Sequence, residues 1–458
     1  MFQFGKKTSA EQAAPERSAV PDKTSAEAPA VSTTLSPQSI DLIRDDILER
    51  IDPVAAVQMS EPELRERVGH LVAEIANQKR TLLNRQEQAA LTASIIDDMI
   101  GLGPLEPLLR DESVADILVN GPKKIFVERR GKLELTTLQF RNNAHVLHIA
   151  QRIASYVGRR VDESSPMLDA RLADGSRVNV IIPPLSLKGP CISIRKFSKA
   201  MMDFAKFVGA GTLSPEMARA MEIAARCRLN IIISGGTGSG KTTFLNALSH
   251  MIEPAERIIT IEDAAELQLQ QPHVIQLETR PPNIEGQGQI SQRDLVRNAL
   301  RMRPDRIIVG EVRGIEAFDM MQAMNTGHSG SMSTVHANSA RDALARIENM
   351  ILMANVNLPT RAIRGQMASA IDLVVHTERM RDGIRRVTEV VEISGIEEDT
   401  IELGVLFTFR YTGENQDGSL RGNFEATYVR PRFLPRLQYY GLASAFLDAL
   451  GGERKAEG

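Results

Sequence analysis

Apolar residues recur every three or four positions between residues 37 and 103. This spacing places them on one face of each of three amphipathic helices. Ser60 with Glu63 and Asn84 with Glu87 have the spacing of a capping box, which predicts where the second and third helices begin. The apolar faces fit either a small bundle that buries them against one another, which we expect, or a docking surface.

Between residues 104 and 200 the pattern changes to short runs in which apolar and polar residues alternate. A period of two is typical of strands that are buried on one face. We expect six such strands, with a helix over residues 144–157 between the third and the fourth. The segment is therefore predicted to be a compact α+β domain, and residues 201–213 are predicted to form a linker after it.

From residue 214 to residue 458 apolar strands alternate with amphipathic helical stretches. Such alternation predicts an α/β domain in which a mainly parallel sheet carries helices on both faces. Residues 1–36 differ from the rest of the chain, because they are rich in Ala, Ser, Thr and Pro and lack aliphatic periodicity. We expect a disordered tail there.

A glycine-rich loop follows the predicted strand 230–233, and its residues 235–242 fit the pattern G-x-x-x-x-G-K-T. Glycines allow left-handed backbone angles, so several N–H groups can point at one phosphate, and the helix that follows adds the positive end of its dipole. Lys241 is expected to reach the β- and γ-phosphates of ATP, and the Thr242 hydroxyl to bind Mg²⁺. The candidate ATP-binding residues are Gly235, Gly236, Thr237, Gly238, Ser239, Gly240, Lys241, Thr242 and Thr243.

Composition narrows the function further. The formal net charge of −3 gives no basic field for coating duplex DNA, and 4% aromatic residues without Trp leave few stacking platforms for single strands. We therefore expect no nucleic-acid partner. Cys191 and Cys227 are the only cysteines, which argues against a disulfide framework or a cysteine zinc site. Since no apolar run is long enough to span a membrane, we expect a cytoplasmic protein.

Three acidic residues follow predicted strands of the α/β domain, at the edge of a parallel sheet where ligands bind. Glu311 follows "RIIVG" and is expected either to polarise the attacking water or to hold Mg²⁺ through a water. Gly310 stands where the usual magnesium-binding strand has Asp, so metal contact is expected to fall mainly to Thr242. Of Glu262 and Asp263, one is expected to orient the water and the other to cap a helix after them.

His336 ends another predicted strand of the same domain. An imidazole there fits either a sensor of the γ-phosphate or of a neighbouring subunit, or a hydrogen-bonded structural residue. The same alternatives hold for His328, which precedes that strand.

Arginines supply the positive charge that phosphoryl transfer requires. Arg171, Arg177 and Arg195 belong to the α+β domain and come within reach of the phosphates if that domain folds over the nucleotide. Each of them can equally be solvated or salt-bridged. A further run fits a subunit interface and comprises Arg293, Arg297, Arg301, Arg303 and Arg306.

Together these motifs resemble the ATPases of type II and type IV secretion systems. The phosphate loop, the acidic segment "IEDAAEL", "VGEVRG" and the histidine segment ending "STVHAN" occur in the order and spacing of that superfamily. Within it, "GLGPLEPLL", "DILVNGPKKIFVERRGKL", "LADGSRVNVIIPP" and "ISIRKF" resemble the CpaF-type ATPases of Tad (Flp) pilus assembly. The resemblance covers about residues 90–400, and the four-cysteine zinc module of the type II exporters is missing.

The resemblance implies a RecA-like P-loop ATPase domain in a homohexameric ring at the cytoplasmic face of the bacterial inner membrane. Hydrolysis of ATP would there drive pilin subunits into a pilus through an inner-membrane platform protein. It also implies that Lys241 and Thr242 bind phosphate and Mg²⁺, that Glu311 is the catalytic glutamate and that Glu262 belongs to an acidic box. His336 becomes the histidine-box residue. The arginines offered by the N-terminal domain would be Arg195, Arg171 and Arg177.

Two other functions fit the α/β domain, a hexameric DNA translocase and a nucleotide-controlled binding switch that hydrolyses ATP negligibly. The acidic balance and the scarcity of aromatic residues weigh against the translocase. Glu311 and Glu262 weigh against the switch. Turnover of ATP, measured with and without DNA, discriminates among the three.

Overall fold

The computed structural model describes residues 37–51, 56, 59–129, 131–197, 203–282, 287–355 and 357–451. The predicted disordered tail lies outside these residues. The chain divides into two units, residues 1–106 and 107–458. Among the described residues, no helix is both long and apolar enough to cross a membrane.

The described part of the first unit contains three helices that pack on one another. They are α1 (Pro37–Arg50), α2 (Glu61–Gln78) and α3 (Arg85–Ile100). Both predicted capping boxes are present, since the backbone N–H groups of Ser60 and Asn84 donate to Glu63 and Glu87. The apolar faces form one shared core, built from residues such as Ile43, Ile47, Leu64, Val68 and Ile95. The prediction that these helices bury their own faces is therefore confirmed.

The second unit begins with an antiparallel six-stranded sheet. Its strands are β1 (Val114–Asn120), β2 (Ile125–Arg129), β3 (Lys132–Leu135), β4 (Met167–Arg171), β5 (Arg177–Ile181) and β6 (Cys191–Arg195), with α4 (Glu106–Arg110) before them and α5 (Asn143–Tyr156) in their midst. Their order in the sheet is β3-β2-β1-β6-β5-β4. Arg177 lies directly opposite both Arg171 and Arg195 in the register. The three predicted arginines therefore form a row on one face.

A nine-stranded sheet organises the rest of the second unit. Its strands are β7 (Ile231–Gly235), β8 (Ile258–Glu262), β9 (Val274–Glu278), β10 (Arg306–Val309), β11 (Met332–His336), β12 (Leu373–Arg379), β13 (Arg385–Glu397), β14 (Thr400–Glu414) and β15 (Leu420–Ala426). They are ordered β15-β14-β13-β12-β7-β11-β10-β8-β9. Strands from β12 to β9 run parallel, and β13 to β15 extend the sheet as antiparallel strands. The parallel part places the ends of β7, β8, β10 and β11 at one edge.

Helices cover both faces of this sheet, as predicted. They are α6 (Phe204–Gly209), α7 (Pro215–Arg226), α8 (Lys241–Ser249), α9 (Gln292–Ala299), α10 (Glu316–Asn325), α11 (Ala340–Met353), α12 (Thr360–Ala370), α13 (Leu434–Tyr439) and α14 (Ala443–Ala449). Ile231 and Ile233 of the central strand belong to one apolar core, and Ile232 belongs to the other. The central strand β7 is thus buried on both sides, and this holds the loop after it in place.

Two local predictions differ from the structure. The expected linker contains α6, because Phe204 and Phe207 both pack against Phe244 of α8, with ring centroids 5.8 Å apart in each pair. The helix expected directly after Asp263 is not present. Residues 263–273 are irregular and lead into the edge strand β9, whose partly exposed residues gave little periodicity.

Candidate active site

The phosphate loop connects the end of β7 to the start of α8 at the parallel edge of the sheet. Gly238 and Gly240 have left-handed φ angles of +70° and +95°, which glycine adopts without strain. A Cβ on Gly235 would overlap the carbonyl oxygen of Thr377 and Ser239 Oγ. No side chain caps α8 at Gly240, so the N–H groups of its first turn are available to an anion.

Lys241 is buried beneath this loop, with 7% of the residue exposed. Its Nζ donates to the carbonyl oxygens of Gly235 and Gly236, at 3.0 and 2.8 Å. Burial lowers the pKa of Lys241, and the nearby Glu311 carboxylate opposes this shift. These two carbonyl oxygens are neutral, so an anionic phosphate oxygen would bind the Lys241 ammonium more strongly than they do. Thr242 is half-buried beside it, whereas Gly236, Thr237, Gly238 and Thr243 are exposed.

Glu311 lies just after β10 and is held by two residues. Arg313 Nη2 is 2.5 Å from Glu311 Oε2, and His336 Nε2 is 2.9 Å from Glu311 Oε1. The histidine contact is close but not aligned for a hydrogen bond, so Oε1 is a buried acceptor without a donor. Burial and the positive charge of Lys241 lower the pKa of His336, while Glu311 raises it. The neutral imidazole is therefore favoured at pH 7.

Glu262 ends the neighbouring strand β8 and is 4% exposed. Its Oε1 accepts the backbone N–H groups of Glu266 and Leu267, at 3.0 and 3.1 Å. Its Oε2 is buried and has no hydrogen-bond donor. Burial raises the pKa of Glu262 to about 7, although these two N–H groups act in the opposite direction. Glu262 thus stabilises the turn after β8 and retains one unpartnered oxygen.

Gly310 explains how the two acids fit side by side. A Cβ on Gly310 would lie 2.8 Å from Cγ of Glu262 and 3.1 Å from its Oε1. Any larger residue would displace Glu262 from its buried position. The Gly that replaces the usual magnesium-binding Asp therefore makes room for the second carboxylate.

Asp263 follows Glu262 and contacts Arg313, whose Nη1 is 3.1 Å from Asp263 Oδ2. Arg313 therefore bridges the ends of β8 and β10. Sequence reasoning missed this residue, although its position two residues after Glu311 in "VGEVRG" was a signal. His328, by contrast, lies in the turn before β11, where its carbonyl accepts from Ser331 Oγ at 2.7 Å. The imidazole Nδ1 lies 3.3 Å from the carbonyl oxygen of Ala323, and this ring contact favours a structural role for His328.

A cleft of about 760 Å³ lies between the six-stranded sheet and the acidic segment after β8. Arg171 and Arg177 line it, as do Asp263, Glu278 and Arg313. The phosphate loop does not line it. The structure thus brings two of the three predicted arginines beside the acidic segment.

The two predicted arginines of the cleft already have carboxylate partners. Arg171 Nη1 is 3.7 Å from Glu278 Oε2, and Arg177 Nη2 is 2.6 Å from Asp169 Oδ2. Arg195 does not line the cleft. Its exposed side chain lies 3.2 Å from Asp116.

The arginines predicted to line a subunit interface differ in burial and pairing. Arg306 is fully buried and forms a bidentate pair with Glu256, at 2.7 and 2.8 Å, so its part of that prediction is wrong. Arg293 pairs with Asp319 at 2.8 Å. Arg297, Arg301 and Arg303 are exposed.

The chain is similar to several known proteins. The chain is 40% identical over 299 residues to a Mycobacterium tuberculosis protein whose name assigns it provisionally to conjugal transfer, covering 64% of this chain and 84% of that one. It is 32% identical to the type IV secretion system protein VirB11 of Bartonella quintana, covering 63% and 91%. The crystal structure of the Brucella suis VirB11 ATPase matches with 28% identity and a TM-score of 0.35, covering 63% and 95%.

The predicted fold class is confirmed: a RecA-like P-loop domain follows a smaller α+β domain and an N-terminal helical bundle. The family described as "Type II/IV secretion system protein" matches residues 98–393. That range includes the phosphate loop, both strand-end glutamates and His336. The chain therefore belongs to the type II/IV secretion system protein family.

Proposed function

We propose that this protein is a Mg²⁺-dependent ATPase that drives pilus assembly of the Tad (Flp) type as a homohexameric motor. It would work at the cytoplasmic face of the inner membrane, against a platform protein in that membrane. The observation that best supports ATPase activity is a pair of buried carboxylate oxygens, Glu262 Oε2 and Glu311 Oε1. Neither has a hydrogen-bond donor among the described residues. They lie at the sheet edge that also carries a complete phosphate loop. Buried acceptors without donors are costly unless a ligand or water meets them.

The residues divide the work as follows in this proposal. The N–H groups of residues 236–243 and Lys241 hold the phosphates, as oriented donors that need no rearrangement during the reaction. Glu311 polarises the attacking water through Oε1, and Arg313 keeps that carboxylate in place. Glu262, whose pKa of about 7 suits a proton acceptor near neutral pH, orients the same water. His336 senses the γ-phosphate beside Glu311.

The metal site fits the residues present. Mg²⁺ in such sites takes one or two protein ligands and completes its shell with phosphate oxygens and waters. Thr242 follows Lys241 at the start of α8 and would supply the hydroxyl, and Glu311 would contact the ion through water. When bound, the ion would neutralise charge on the transferred phosphoryl group.

The α+β domain supplies the moving part in this proposal. Arg171 and Arg177 already face Glu278 and Asp263 across the cleft. Closing the cleft would bring their charge towards the phosphates, and repeated closing and opening would convert hydrolysis into movement. Arg195 is more exposed and is proposed to act on a neighbouring subunit of the ring.

The test is phosphate release from ATP by the purified chain with Mg²⁺, with and without single- or double-stranded DNA. Lys241→Ala removes the phosphate-binding ammonium, and Lys188→Ala changes an exposed lysine as the matched control. We expect turnover that is lost only in Lys241→Ala and does not respond to DNA. Strong stimulation by DNA would favour a translocase, and binding of ATP without turnover under any condition would favour a switch.

The motor itself needs two further measurements. Native mass spectrometry with ATP and Mg²⁺ should show six copies of the chain. Pull-down with an inner-membrane platform protein should succeed with the wild-type chain, and its absence would contradict the pilus assignment.

A further inference from the structure

A β-hairpin next to the phosphate loop, formed by β12 and β13, carries four arginines in eight residues (379–386). Two of these arginines pair with carboxylates. Arg381 Nη2 is 2.6 Å from Glu414 Oε2, and Arg386 Nη2 is 2.8 Å from Asp382 Oδ2. Their charges are therefore neutralised within the hairpin and its neighbouring strand.

The other two arginines have only neutral partners. Arg379 Nη2 donates to the carbonyl oxygen of Gly131 at 2.5 Å, and Arg385 Nε donates to that of Gly238 at 2.9 Å. Within the described residues, neither guanidinium forms an ion pair with a carboxylate. Gly238 belongs to the phosphate loop, whereas Gly131 lies in the turn between β2 and β3 of the α+β domain.

Arg379 and Arg385 are direct cross-strand partners in the hairpin. Like charges in this arrangement repel each other unless an anion lies nearby. Both side chains are exposed and lie against the loop. A Cβ on Gly240 would be 3.1 Å from Arg385 Cδ, and a Cβ on Gly238 would be 3.9 Å from Arg379 Nη1. Two uncompensated cations thus meet at the loop that is built for phosphates.

We propose that Arg379 and Arg385 form a second cationic wall of the nucleotide site and bind phosphate oxygens of the nucleotide held by the same chain. Arg379 exchanges the Gly131 carbonyl for a phosphate oxygen, because a guanidinium binds an anionic oxygen more strongly than a neutral carbonyl oxygen. Nucleotide binding therefore releases a contact between the ATPase domain and the α+β domain. This inference rests on the proposed ATPase function and identifies Arg379 as the residue that couples nucleotide binding to the α+β domain.

Nucleotide affinity tests the phosphate contact. The dissociation constants of ATP and ADP are measured by calorimetry for Arg379→Gln and Arg385→Gln, with Arg381→Gln as the matched control from the same hairpin. We expect about tenfold weaker binding for the first two variants and no change for the control. Arg385→Lys and Arg379→Lys, which keep the charge, should recover most of the affinity. Lys variants as weak as the Gln variants would indicate a merely structural role and would overturn the proposal.

Hydrogen exchange tests the coupling. In the wild-type chain, ADP should speed amide exchange in the turn between β2 and β3, because Arg379 leaves Gly131. In Arg379→Gln the turn should exchange fast with or without ADP. A turn whose exchange does not respond to ADP in the wild-type chain would overturn the exchange of partners.

The failure of this inference can be told from the failure of the ATPase proposal. If the wild-type chain does not bind ATP, or if Lys241→Ala binds it equally well, the ATPase proposal fails. If binding depends on Lys241 but both Gln variants bind ATP with wild-type affinity, only the inference about Arg379 and Arg385 fails. Unchanged thermal unfolding of the variants, measured alongside, shows that their affinities report on a folded loop.

Discussion

Glu262 is the last residue of β8 and Glu311 lies two residues after the neighbouring parallel strand β10, at the same edge of the sheet, yet their surroundings are opposite. Glu311 is flanked by Arg313 at 2.5 Å and by His336 at 2.9 Å. Glu262 has no cation within ion-pair distance among the described residues, and burial raises its pKa to about 7. Two chemically identical side chains at the same edge of the sheet therefore have different electrostatic surroundings.

The difference teaches that position at the sheet edge identifies candidate residues, and that the charges around each carboxylate support the different roles proposed for them. A carboxylate held in place by a cation can polarise a water. A buried carboxyl group without an ion-pair partner exchanges its proton near neutral pH and can accept one. The same contrast separates the hairpin arginines: two are paired with carboxylates, and two lie against the phosphate loop without a carboxylate partner among the described residues.

The largest expected effect is on turnover in Glu311→Gln. Removing the charge that polarises the water should lower kcat about 1,000-fold, or about 4 kcal/mol in activation free energy. The dissociation constant of ATP should stay within about threefold, because the phosphate loop is unchanged. Single-turnover hydrolysis and nucleotide titration measure the two quantities. A kcat within tenfold of wild type would remove Glu311 from the catalytic role.

The second effect is the pH dependence of stability, which reports on Glu262. The folded pKa of Glu262 is raised from 4.5 to about 7, so the unfolded chain releases this proton first as pH rises. Glu262 therefore lowers the free energy of unfolding progressively between pH 4.5 and 7, by at most about 3 kcal/mol. Glu262→Gln removes this loss.

The stability of Glu262→Gln relative to wild type should consequently increase as pH rises across that window. Urea unfolding at pH 5, 6, 7 and 8 measures this difference. A difference that stays constant with pH would show that Glu262 titrates as an ordinary carboxyl group.

The third effect is smaller and concerns turnover at Glu262. Glu262→Gln should lower kcat about tenfold at pH 8, or about 1.4 kcal/mol, because Glu311 still polarises the water. In the wild-type chain kcat should rise as pH increases through about 7, as Glu262 loses its proton. The variant should lose this rise, so the two chains should differ least at pH 6. A parallel pH profile in both would assign the rise to another group.

Much of the fold and of the site was predictable from the sequence because the features involved lie within a few residues of one another along the chain. The phosphate loop is contiguous, and the caps at Ser60 and Asn84 lie three residues from their partners. The position of Glu311 follows from a strand of apolar residues that ends at a known edge. Such features depend on spacing along the chain, which the sequence states directly.

The division between Glu262 and Asp263 was not predictable, because every residue of β8 is buried and a strand buried on both faces shows no alternation. Asp263 pairs with Arg313, which is 50 residues away in the sequence. Gly310 contacts Glu262 only because the fold brings β8 and β10 together. The pairing of Arg379 with Arg385 also depends on a bulge at His376 and Thr377 that shifts the hairpin register. Sequence patterns do not reveal such contacts.

The smallest effect expected is that of Arg313→Gln, and it sharpens the contrast between the two acids. Arg313 is about half exposed, and solvent screens such pairs, so its loss should lower kcat only about threefold, or about 0.6 kcal/mol. The loss should act through Glu311, because Arg313 contacts Glu311 and Asp263 but not Glu262. Combined with Glu311→Gln, Arg313→Gln should therefore add no further decrease, whereas combined with Glu262→Gln it should add its full threefold. Equal additivity with both glutamate variants would mean that Arg313 acts on the phosphates and not by holding Glu311.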